Sequence, residues 1–135
     1  MSSPEKSDPL ESLREKRISV YSDFMKDFGR SIVTKKVDAQ GLAKFNMEIA
    51  LVGGDPVLKN FLIWQDQQRK YLETKREEDL FPIFAQFGKV CLEMRRELNP
   101  STKLGIKDVL RSFVRDLDTS PRLLKLVEKI ESKKE

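Results

Sequence analysis

Residues Leu80 to Leu98 read LFPIFAQFGKVCLEMRREL. Leu80, Phe84, Phe87, Cys91, Met94 and Leu98 follow one another at steps of four, three, four, three and four. That rhythm draws one apolar stripe down five turns of α-helix, the signature of a helix buried along one side. Ile83 and Val90 widen the stripe, so the helix is expected to meet more than one neighbour. The rest of the chain is expected to pack around it as an all-α compact bundle of five to six helices around a central helix at about 80–98.

The flanks follow from the same stripe. Toward the C-terminus, Asn99-Pro100 stops the central helix. NPSTKLG then connects to a fifth helix with Ile106, Val109, Leu110, Phe113, Val114 and Leu117 apolar. Thr119-Ser120-Pro121 starts a sixth, with Leu123, Leu124, Val127 and Ile130 inward. Toward the N-terminus, Thr74 or Asp79 is the expected cap of the central helix. A third helix from Pro56 to about Glu73 carries Val57, Leu58, Phe61, Leu62, Gln65 and Leu72 near one face, and leaves Trp64 off that stripe. Gly53-Gly54-Asp55-Pro56 reads as a helix-to-helix corner, with a left-handed glycine closing one helix, Asp55 capping the next and Pro56 in its first turn. A shorter helix from Asp38 carries Leu42, Phe45, Ile49 and Val52 in register. The first helix starts at Asp8-Pro9 and is apolar on one side from Tyr21, with Ser19 a possible irregularity. The expected organisation is a disordered lead at 1–7, one helical domain over 8–130 and a charged tail at 131–135.

Length and composition narrow the function. With 135 residues the chain can bury one core. No apolar run approaches the roughly 20 residues that span a bilayer. Met1-Ser-Ser-Pro lacks the apolar centre of a signal peptide, and one cysteine cannot form an internal disulfide. A cytosolic location is expected. The net charge is +4, mild for a protein that lives on nucleic-acid phosphates.

Chemistry is scarce. The chain has no histidine, which removes the commonest general base and metal ligand. Cys91 falls on the apolar stripe and reads as a buried, inert thiol. Glu93 and Glu97, beside Arg95 and Arg96, read as solvated ion pairing rather than a metal site. No Walker motif appears. The helix start after Gly53-Gly54 could hold an anion, but Asp55 already offers a carboxylate there. No catalytic residue, cofactor or metal is therefore expected.

Interaction remains. Trp64 and Tyr71, if exposed, are the aromatic anchors, and Arg95 and Arg96 their basic companions, for another protein or a second copy of the chain. The early half of the first helix, rich in charge, is a further candidate for pairing. The alternative is a nucleic-acid face built from Arg95, Arg96, Lys107, Arg111, Arg115 and Arg122, with Asp108, Asp116, Asp118 and Glu128 interspersed. The same basic residues could rest on an anionic membrane surface.

Three stretches resemble a family of uncharacterised bacterial helical proteins, often called conserved hypothetical proteins. They are REKRISVYSDFM (14–25), IALVGGDPVLKNFLIWQ (49–65) and the run 87–118. In that family a basic lead and "PVYE.F" open the first helix, and "L..WGSD.V..AF..FR" makes the central corner. Helices of the form "LL.A(M/I)RKDLG" and "LL..FI.D(I/L)" follow. The counterparts are Val20-Tyr21, Gly53 with Asp55, the MRREL of 94–98, and Val109-Leu110 through Phe113 to Asp118. The resemblance implies a helical domain, often behind membrane-spanning helices, and no agreed activity. Gly54 stands where the family tends to have serine, and Asn99-Pro100 where glycine would follow.

Overall fold

The computed structural model describes residues 9–34, 39–112 and 120–132. Among them are six α-helices and one short 3-10 turn, with no strand. The all-α class expected from the heptad-like stripes is the class found. In order the helices are α1 (Pro9–Thr34), α2 (Ala39–Val52), α3 (Asp55–Thr74), α4 (Leu80–Leu98), α5 (Ile106–Arg111) and α6 (Pro121–Ser132), with the 3-10 turn at Glu77–Asp79. The chain divides into two compact units, Met1–Gly53 and Gly54–Glu135. The division falls at the Gly-Gly corner, inside the span expected as one domain. None of these helices is long and apolar enough to cross a membrane.

In the first unit α1 packs on α2. Val20, Tyr21, Phe24 and Phe28 are buried on α1 at helical spacing, with Phe45 and Ile49 of α2. The Phe24 and Phe45 rings meet edge to face at 5.5 Å, the arrangement their quadrupoles favour. The helix runs through Ser19 unbroken, and residues 9–19 are exposed apart from half-buried Leu13 and Arg17. The Arg17 guanidinium donates to the Val52 carbonyl. A cation there satisfies one orphan carbonyl of the α2 C-terminus and complements its dipole.

In the second unit α4 touches α3, α5 and α6, which is why so much of it is enclosed. From Ile83 to Met94 only Phe84 and Lys89 escape full burial. Gly88 is the point of closest approach to α5. A Cβ there would lie 2.7 Å from Leu110 Cγ and 2.8 Å from Ile106 Cγ2, so only a hydrogen fits. α6 continues through Ser132, into the stretch expected as a charged tail. Glu131 has a structural task there: its carboxylate accepts the Ile106 N–H at 3.2 Å, capping α5 from another helix.

At the Gly53-Gly54-Asp55 corner the expected caps are replaced. Asp55 is the first residue of α3 rather than its cap. Gly54 is the N-cap, in extended backbone at φ −69, and no described glycine has a positive φ. The left-handed residue is instead Lys75, φ 55, which closes α3 by donating its N–H to the Tyr71 carbonyl. Asp79 takes the expected N-cap position of α4, without a capping bond. Its carboxylate accepts the Thr74 hydroxyl at 2.6 Å instead.

Candidate interaction site

Helix α3 carries two apolar stripes, and packing chooses between them. Val57, Phe61, Trp64 and Gln68 step by four, three and four, and all are buried, with Asn60 beside them. Leu58, Leu62, Gln65, Arg69 and Leu72 follow the same rhythm one residue later. On that outward side Leu62 is 50% exposed and Leu72 46%; Ile63, also exposed, lies about 100° round the helix from Leu62, off this stripe. Of the residues expected inward, Val57 and Phe61 are buried, Leu58 and Gln65 are half-buried, and Leu62 and Leu72 are exposed. Trp64 is fully enclosed, its ring centred 5.5 Å from that of Phe61, so it is core and not an exposed anchor. The indole is the largest apolar surface on the helix, and enclosing it removes more area from water than enclosing a leucine.

The inner stripe can afford Asn60 because α4 supplies its partner. Gln86 Nε2 donates to the Asn60 carbonyl at 2.9 Å and to Asn60 Oδ1 at 3.2 Å, and Asn60 Nδ2 donates to the Pro56 carbonyl at 2.8 Å. A buried amide so bonded avoids the desolvation penalty that would otherwise keep it outside.

The remaining expected residues separate. Tyr71 is half-buried near the C-terminal end of α3. Arg95 is exposed near the C-terminal end of α4, its Nε donating to Thr102 Oγ1 at 2.9 Å, which pins the following loop. Arg96 donates to Glu93 Oε1 at 2.6 Å. Glu93 is buried, with Lys89 also at 3.4 Å, so this is an enclosed charge held by two cations and not the solvated pairing expected. Glu97 accepts the Gly54 N–H at 2.8 Å. That bond shows α3 and α4 run antiparallel and puts Arg95 and Arg96 at the Gly54 end. Tyr71 lies about 25 Å away along α3 at 1.5 Å per residue. The four residues do not form one site. The same bond fills the anion position at the Gly53-Gly54 corner with the protein's own carboxylate.

The alternative basic face is also dispersed. Lys107 is half-buried one residue beyond the α5 amide that Glu131 caps, near the C-terminal end of α6. Arg122 is at the opposite end of α6, about 14 Å along its axis. Its guanidinium lies 6.0 Å from the Phe81 ring centre, beside an open concavity of about 590 Å³ shared with Arg76, Glu77 and Glu78. Arg111 is exposed on α5, and Arg115 lies outside the described residues. Among the described residues no group of three or more cysteine, aspartate or glutamate side chains could hold a metal ion. Cys91 is buried, and burial pushes its thiol far above the ordinary range.

Compared with protein-family models, curated proteins and solved structures, the chain matches none.

Proposed function

We propose that this chain is a non-enzymatic helical interaction module, binding another protein or a second copy of itself, in the cytosol. The observation that carries the reading is the outward stripe of α3, where Leu62 and Leu72 stay half in water on a helix whose aromatic residues are turned inward or half-buried. Apolar side chains left in water along one helix face are what a helix-packing partner would cover. The chain's one thiol is enclosed and held neutral, and it has no imidazole; neither offers a nucleophile or base. The resemblance to the bacterial helical family adds to the reading a domain without agreed chemistry.

The test is a tagged capture from native lysate, with and without nuclease, using the wild-type chain and Leu62→Glu. The reading expects one protein, or the untagged chain itself, recovered in near-equal amount with wild type in both samples and lost with Leu62→Glu. Recovery of nucleic acid, with proteins lost after nuclease and restored binding of neither at Arg122→Glu, would replace it with the nucleic-acid reading.

A further inference from the structure

We infer that the occupant of the outward face of α3 is the same face of a second copy, with the two helices antiparallel. This rests on the interaction reading above and names its partner. Leu58, Leu62, Gln65, Arg69 and Leu72 keep the four–three alternation of a heptad seam. Between two such seams only the relative direction is open, and the charges decide it. A parallel pair stacks Arg69 on Arg69 and has no opposite charges across the seam, because the flanking positions on the other side are Phe61 and Gln68, buried in their own core. An antiparallel pair sets Leu62 against Leu72 of the second copy at both ends, and Gln65 against Arg69 between them. It also brings exposed Lys59 beside Glu73 of the second copy, twice by symmetry.

The cost is Asp66 facing its own counterpart near the two-fold axis. Arg69 lies 3.5 Å from Asp66 in each helix and offsets that repulsion. Two leucine layers around two polar ones make a small seam, so the dimer is a weak one that fills only at high chain concentration.

Sedimentation equilibrium from about 10 µM to about 1 mM tests this on the full chain. Wild type is expected to pass from monomer to dimer across that range. Leu62→Glu should weaken association roughly 30-fold or more, because it buries two unpaired carboxylates. Lys59→Glu alone should weaken it about tenfold by setting like charges together. Lys59→Glu with Glu73→Lys should restore it to within about twofold, since the pair is only exchanged. Lys59 and Glu73 are exposed, so these variants keep the fold, which far-UV circular dichroism verifies. A wild-type chain monomeric throughout, a Leu62→Glu dimer of unchanged strength, or a double variant no better than Lys59→Glu would each overturn the inference. Self-docking alone falls if the wild-type chain stays monomeric yet captures a different protein through Leu62. The interaction reading falls with it if nothing is captured.

Discussion

Trp64 and Leu62 are two residues apart and have opposite fates, and that contrast is the most direct check on the fold. Truncating an enclosed indole leaves a cavity, so Trp64→Ala should destabilise the chain by about 3–5 kcal/mol. Leu62→Glu changes a side chain half in water and should shift stability by no more than about 0.5 kcal/mol. Urea midpoints of the two variants measure this; equal losses would mean the face assignment is wrong. Cys91 gives a second prediction. Thiolate is the reactive form, so a folded chain should leave a thiol reagent untouched at neutral pH and react once denatured. Linkage gives the sign of the pH effect. The unfolded thiol loses its proton near pH 8.5, while the buried one keeps it. The unfolded state then binds fewer protons and stability falls as pH rises. This thiol's contribution is whole below about pH 8.5 and declines above it by up to about 1.4 kcal/mol per pH unit. Replacing Cys91 by alanine should remove that part of the alkaline slope, which denaturant titrations at pH 8 and 10 would show.

The elements differ in how far the sequence announces them. α4 was legible to its ends, because an amphipathic stripe and Asn99-Pro100 are local signals, and its width correctly implied several neighbours. α3 was legible as a helix with Val57 and Phe61 inward, but not in the fates of Trp64, Leu62 and Leu72. Its two stripes have the same period, and the choice depends on Gln86, whose amide partners Asn60 from 26 residues away. Helix ends were misread for a similar reason. Asp55 is a good cap residue by composition, yet Gly54 takes that place, its N–H held by Glu97, and Glu131 reaches the first amide of α5 from another helix. Long-range caps leave no local trace. Gly88 makes the same point from the opposite direction, since a mid-helix glycine reads as a defect until Leu110 is found against it. Gly88→Val should push α5 off α4 and cost about 2 kcal/mol or more, the overpacking penalty exceeding the small propensity gain. Loss of amide protection confined at first to Ile106–Arg111, by hydrogen exchange, would place the damage at that contact.

At the scale of the whole molecule charge separates the readings. Residues 1–100 hold 17 basic and 16 acidic side chains, and residues 101–135 hold 9 and 6. The basic residues expected on one face are spread over three helices: Arg96 is tied to Glu93, Arg95 to Thr102, and Arg122 is at the far end of α6 from Lys107. A surface of this kind gives little net field to steer a polyanion, whereas an apolar helix face keeps its affinity when charges are screened. Raising salt from about 0.1 M to about 0.5 M shortens the screening length from about 10 Å to about 4 Å. An α3-mediated complex should lose less than about tenfold in affinity over that interval, its apolar layers being indifferent to salt and only the Lys59–Glu73 pairs weakened. A complex that depended on even four phosphate contacts would lose more than about a hundredfold, because each released counterion adds to the slope. Sedimentation of the wild-type chain at the two salt concentrations, alone and with a generic duplex DNA, makes the comparison. A steep log–log dependence would transfer the weight of the argument from the leucines of α3 to the arginines and lysines of α5 and α6.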